Sequence, residues 1–138
     1  MKIHHKEPQG DILAFLTGQE EITQAIRMLR EHMEMANISE EELKPLPMHG
    51  QLTHHDQLRV FFHTPKNSRK VIFATNIAET SVTIPNISYV IDCGFIKLNW
   101  YMADLQINML VICPISQACS RQRTGRAGRI RNGKVYRL

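Results

Sequence analysis

The sequence predicts an α/β domain, a mostly parallel sheet covered by helices on both faces. Three observations predict it. Short apolar runs alternate with segments of helical periodicity. The runs at 11–16 (DILAFL), 70–75 (KVIFAT), 89–93 (YVIDC) and 109–115 (MLVICPI) have strand length and strand composition. The length of 138 residues with 43% hydrophobic content suits one domain with a core of its own, and not two.

The elements follow in order. Residues 11–16 read as a buried strand. Thr17-Gly-Gln-Glu20 follows, a capping-box pattern in which Thr17 caps and Glu20 reaches back. The helix then runs to about Ala36, with Ile22, Ile26, Leu29 and Met33 on one face. Ser39-Glu-Glu-Glu42 repeats the capping signal. Residues 46–49 form a short strand, and 53 to about 62 a helix with Leu58, Phe61 and Phe62 apolar. Pro65-Lys-Asn-Ser68 is a turn. After the next three strands a helix runs from Ser116 to about Thr124, ended by Gly125 and Gly128, and residues 134–138 make a last strand. Ligands of such sheets sit at the carboxyl ends of the strands. The loops after Leu16, Thr75, Cys93 and Ile115 are therefore where chemistry is expected.

Charge narrows the function classes. The net charge is +4 and charged residues make up 22%, which is mildly basic and compatible with a phosphate-bearing partner. Residues 121–137 carry seven Arg or Lys and no acid, whereas 31–42 is acidic. Three cysteines without a CxxC pair indicate neither a zinc site nor a disulfide framework, so a reducing compartment is the simplest reading. No apolar run is long enough to span a bilayer. The paired histidines His4-His5 and His54-His55 read as surface residues, because neighbours on a helix diverge by about 100°; no metal site is expected. Glu20-Glu21 and the acids at 40–42 read as helix-start charges. Glu79 reads as a structural hydrogen-bonding group, and Asp92 as a residue that orders the next loop. Both chain ends read as cuts within a longer protein.

The sharpest motif is Gln122-Arg-Thr-Gly-Arg-Ala-Gly-Arg129, three arginines at a spacing of three with glycine directly before the second and the third. A guanidinium fork matches phosphate oxygens. Glycine allows close approach of backbone or ligand. Arginines so placed suit a polyphosphate whose charge grows during transfer. No GxxxxGK[ST] string and no DEAH-like acidic string occurs in the 138 residues.

QRTGRAGR resembles helicase motif VI of superfamily 2 in its DEAH-box form. Residues 74–84 (ATNIAETSVTI) resemble that family's motif V, and 15–22 (FLTGQEEI) its motif IV. YVIDCGFIK at 89–97 matches the strand and loop that follow motif V, and GKVYRL at 133–138 the strand that follows motif VI. The motifs stand in the family's order, and the resemblance covers residues 10–138, after a polar segment at 1–9. It implies a RecA-like three-layer sandwich, the C-terminal lobe of a DEAH-box ATP-dependent RNA helicase. By position, Arg126 and Arg129 resemble the finger arginines on the γ-phosphate, and Gln122 the glutamine near the attacking water. Phe61 resembles the aromatic that stacks on adenine. Ser81 resembles the serine linking the nucleotide and RNA sites, and Lys97 a lysine near the nucleotide. Thr75, helped by Asn76, resembles the threonine on the RNA backbone. Gly18 and Gly50 lie in loops that pack against that backbone.

The resemblance also implies partners outside these residues. ATP with Mg2+ is expected, its P-loop and magnesium ligands lying on a preceding RecA-like lobe. Accessory domains of the same chain, an activator protein and a nuclear setting are further implications, with no membrane. Two departures stand out: Pro85 occupies a usually acidic position near the nucleotide, and 99–108 (NWYMADLQIN) lacks the usual tyrosine-asparagine-proline-like run. Two rival readings stay open: a non-catalytic lobe of a degenerate helicase, with Pro85 as its hint, and the same lobe of a superfamily 2 DNA helicase.

Overall fold

The computed structural model describes residues 1–80, 83–128 and 132–138. Five strands, β1 (Asp11–Phe15), β2 (Leu43–Met48), β3 (Arg69–Ala74), β4 (Ile87–Asp92) and β7 (Lys134–Arg137), form one parallel sheet in the order β2-β3-β1-β4-β7. Side chains alternate across it, as strand geometry requires. Leu13, Phe15, Leu46, Met48, Ile72, Ala74 and Val90 share a front core with Val60, Ala78 and Ile84. Ile12, Leu43, Val71 and Tyr89 share a rear core with Met33 and, more loosely, Leu29, Ile3 and Met1. Both faces are covered, so the predicted three-layer arrangement is the one observed.

The rear layer is α2 (Gln19–Met35), whose Ile22, Ile26 and Met33 are buried as their spacing predicts. Its start differs from the expected capping box. Gly18 is the N-cap in extended backbone, and no side chain caps the helix, so Thr17 and Glu20 do not close on each other. Glu20 and Glu21 lie in the first turn, where they complement the helix dipole. The second capping pattern does form: the Ser39 amide donates to Glu42 Oε2 (3.0 Å) and the Glu42 amide to Ser39 Oγ (3.3 Å), closing a turn before β2. The front layer holds α3 (His54–Leu58), a 3-10 turn (Arg59–Phe61), α4 (Ile77–Thr80) and α5 (Gln117–Thr124). The helix expected over 53–62 is therefore split. Thr53 caps its first part, accepting from the Asp56 amide (3.2 Å).

Two strands depart from expectation. β2 begins three residues earlier than predicted and contains Pro45 and Pro47. It lies at the sheet edge, where two prolines on the same side leave no ladder bond broken. The run at 109–115 does not join the parallel sheet. β5 (Phe95–Met102) and β6 (Ile107–Pro114) form a separate antiparallel hairpin. Its turn at 103–106 has no glycine or proline, and Gln106 takes the left-handed conformation (φ 52°). The hairpin leaves Trp100, Tyr101, Leu110 and Ile112 exposed. Among the described residues no helix is long and apolar enough to cross a membrane.

The N-terminal residues are bound to the rear face rather than loose. Residues Lys2–Lys6 form α1. The buried Arg69 guanidinium donates to the carbonyls of Ile3 (2.7 Å), Glu7 (3.1 Å) and Pro8 (2.5 Å), and lies over the Tyr89 ring (5.4 Å). The Tyr89 hydroxyl donates to Pro8 O (2.7 Å). Glu7 accepts from Lys134 (2.6 Å) and from the Tyr136 hydroxyl (2.9 Å) on the last strand. Arg69→Met is expected to lower amide-exchange protection over residues 3–7 by at least about tenfold, with Leu13 and Ile72 unchanged. Hydrogen bonds from Lys134 and Tyr136 hold the Glu7 pKa below its ordinary value. A carboxylate depressed in this way contributes stability above its unfolded pKa, and loses it as pH falls through the lowered folded value. Exchange at residues 3–7 should therefore rise selectively below the ordinary carboxylate range, and Glu7→Gln should abolish that acid step.

Candidate functional site

The parallel register places Met48, Ala74, Phe15, Asp92 and Arg137 in one row at the carboxyl edge. Four loops leave from this row, three of them carrying predicted site residues. The β1–α2 loop carries Gly18, the β2–α3 loop Gly50, the β3–α4 loop Thr75 and Asn76, and the β4–β5 turn Gly94. Thr75 is half-buried and Asn76 exposed. The Thr75 amide donates to Met48 O (3.1 Å), and its carbonyl accepts from Ala78 (3.2 Å), so the threonine is fixed between the sheet and α4. Lys97 stands with Gly18: a Cβ added at Gly18 would lie 3.7 Å from Lys97 Nζ and 2.8 Å from Glu21 Oε2. Glu21 thus occupies the space that a side chain at this position would take.

One side chain organises the other half of the site. Arg123, the first arginine of the motif, is fully buried. Its Nε donates to Glu79 Oε1 (2.7 Å), and its Nη1 to Asp92 Oδ1 (2.7 Å) and Phe95 O (3.2 Å). The guanidinium carbon lies 4.8 Å from the centroid of the Phe15 ring. Asp92 also accepts from the Gly94 amide (2.9 Å). Burial alone would disfavour the charge, but the hydrogen bonds to Asp92 and Glu79 outweigh it and raise the Arg123 pKa above its ordinary value. Glu79 and Asp92 are thus the structural groups the sequence indicated. Arg123 is a site-building residue that spacing alone did not separate from its two neighbours in the motif. The signal that could have found it was the pair of acids, Glu79 and Asp92, each set beside apolar residues and each requiring a cation if buried.

The arginine loop follows directly. Ser116 caps α5 by accepting from the Cys119 amide (3.1 Å). Gln122 is exposed on that helix, and Arg126 is half-buried, its Nη2 donating to the Glu79 carbonyl. Gly128 takes the left-handed conformation (φ 76°), and its amide donates to Ile87 O (3.2 Å). A Cβ at Gly133 would lie 2.6 Å from Gly128 N, so only glycine lets the two backbone segments pass. Arg129 and Ser81 lie outside the described residues.

Phe61 is half-buried at the end of the 3-10 turn and packs against the same front core as Ile77 and Ala127. The ring and the arginine loop therefore share the front face, while Gly18, Gly50, Thr75 and Lys97 gather at the carboxyl edge. Pro85 is exposed, and the carbonyl of the following Asn86 (φ 65°) accepts from the Asp11 amide (3.0 Å). Among the described residues, no group of three His, Cys, Asp or Glu side chains suited to a metal comes together.

The model of the helicase conserved C-terminal domain matches residues 1–131. This chain belongs to that family. Among curated proteins it is 50% identical over its whole length to the probable ATP-dependent RNA helicase DHX35 of Homo sapiens. It is likewise 50% identical to the pre-mRNA-splicing factor ATP-dependent RNA helicase prp22 of Schizosaccharomyces pombe. The helicase domain spans only 20% and 12% of those two proteins. Among solved structures, the Escherichia coli DEAH/RHA helicase HrpB superposes with a TM-score of 0.82 at 32% identity, over 99% of this chain and 17% of that one. The fold is therefore RecA-like and the domain is a C-terminal helicase lobe of the DEAH-box group.

Within this lobe, removing Arg123 strands two buried carboxylates. Arg123→Met is expected to cost about 3–5 kcal/mol of unfolding free energy, read as a fall in thermal midpoint. Arg123→Lys keeps the charge but not the fork, and should recover only part of that loss. An unchanged midpoint in Arg123→Met would contradict the assignment.

Proposed function

We propose that this lobe is the second half of an ATP-driven RNA motor. ATP is held by a preceding lobe and enclosed when this one closes on it. Arg126 and Arg129 supply the finger charges on the γ-phosphate as negative charge builds there. Gln122 orients the attacking water, and Phe61 stacks on the adenine. Thr75, Asn76, Gly18 and Gly50 follow the RNA backbone, and Lys97, beside Gly18, is the lysine near the nucleotide. Ser81 links the two sites. Opening after hydrolysis then moves the backbone contacts along the strand.

The observation that carries this reading is the tie between α4 and the arginine loop. Glu79 holds Arg123 through its carboxylate and Arg126 through its carbonyl. The segment that begins with Thr75, read here as facing RNA, is thereby joined to Arg126, read here as facing the γ-phosphate. The relatives' names, ATP-dependent RNA helicases, support the same reading. RNA rather than DNA, and a nuclear setting, rest on those names; backbone contacts of this kind specify no sequence.

The β5–β6 hairpin fits further domains of the same chain. A lone two-stranded hairpin is marginal in water, and this one exposes apolar side chains along both strands. An activator protein belongs to the same proposal.

In the full-length protein Arg126→Ala is expected to lower RNA-stimulated ATP turnover by about 10³-fold or more, while affinity for single-stranded RNA stays within about threefold. Turnover at the parent rate would remove the finger assignment. Stimulation by single-stranded DNA but not by RNA would move the lobe to a DNA motor. The isolated lobe, without a P-loop, is expected to show no turnover.

A further inference from the structure

Lys70 is a buried cation that no step above uses; its side chain is 5% exposed. Its Nζ donates to Val60 O (2.8 Å) and to Phe62 O (2.8 Å), and lies 3.5 Å from Asp11 Oδ2. Val60 and Phe62 flank Phe61, so one ammonium holds the backbone on both sides of that ring. Val60 is buried in the front core and Phe61 packs on it, but the backbone of the turn has little regular structure of its own. It is a three-residue 3-10 segment with no side-chain cap, and the chain leaves it in extended backbone at Phe62 (φ −62°, ψ 148°). The anchor beneath is itself fixed. Asp11 is fully buried, and its carboxylate accepts from the Lys70 amide (2.9 Å), Thr64 Oγ1 (2.7 Å) and Asn86 Nδ2 (3.5 Å). The same carboxylate thus joins the Phe61 turn to Asn86, the neighbour of Pro85.

A buried ion pair is a poor source of stability, because apolar residues of the same volume often serve as well. Burial also works against the charge: desolvation lowers the Lys70 pKa, with Asp11 opposing it. What an apolar side chain cannot do is donate to two carbonyls at once. We propose that Lys70 is the positioning residue for Phe61, holding the ring at the angle at which it stacks on the nucleotide base. The proposal rests on the reading of Phe61 as the stacking residue.

The test uses the full-length protein with saturating single-stranded RNA. The readouts are kcat and KM for ATP, and the inhibition constant of inorganic tripolyphosphate, which shares the phosphate contacts but has no base. Lys70→Met is expected to raise KM for ATP about tenfold, with kcat within about threefold and tripolyphosphate inhibition unchanged. Phe61→Ala should do the same, and the double variant should be no worse than either single one. A folded Lys70→Met with parental KM would overturn the proposal. So would a matching loss of tripolyphosphate inhibition, or additive effects in the double variant. Parental KM in Phe61→Ala would instead overturn the stacking role itself. If Asp11, left alone, unfolds Lys70→Met, then Asp11→Asn with Lys70→Met carries the same measurement without a stranded charge. Failure of both to fold would assign Lys70 to stability and sink the positioning role.

Discussion

A guanidinium enclosed by protein is costly to desolvate, on the order of several kcal/mol before its partners repay it. Arg123 is placed that way, and the lobe is organised around it. Its fork reaches α4 through Glu79, the end of β4 through Asp92 and the start of β5 through Phe95 O, while its face covers Phe15 of the central strand. The central strand, α4 and the β4–β5 junction are set by one planar group. A lysine has a single reach and cannot hold two carboxylates at fixed angles. Arg126, the next arginine of the motif, is tied to the same element, because it donates to the carbonyl of the same Glu79.

Buried cations hold the periphery by the same means. Arg69 and Lys70 are neighbours at the start of β3, and strand alternation sends them to opposite faces. Arg69 binds the N-terminal segment to the rear face through three carbonyls. Lys70 binds the Phe61 turn to the front face through two. In each case the cation holds backbone that has little regular structure of its own. Segments that would otherwise fray are thus tied to the most rigid part of the sheet.

Much of this fold is legible in the residues alone. The apolar runs mark β1, β3 and β4 because central parallel strands are buried on both sides. The spacing of Ile22, Ile26 and Met33 marks α2. The arginine string marks the site because guanidinium and glycine at that spacing have few other uses. The parts that are not legible depend on tertiary context. Thr17 has the right type for a cap, but the chain turns at Gly18 instead, where Glu21 fills the space a side chain would need. The prolines in β2 argue against a strand unless it lies at an edge, and the edge is set by sheet order. The hairpin lacks a glycine turn, so β5 carries no signal, and β6 alone looks like one more buried strand. The distinction between Arg123 and Arg126 lies in which acids surround the first, and those acids are 44 and 31 residues away.

The measurement that tests the account most directly is RNA-stimulated ATP turnover of the full-length protein carrying Arg123→Lys, with RNA affinity and thermal midpoint taken on the same samples. The expected result is a folded protein that still binds RNA but has lost most of its turnover, because the charge is kept and the fork is not. Parental turnover in that variant would contradict it, showing that the finger arginines keep their place without the Arg123 fork.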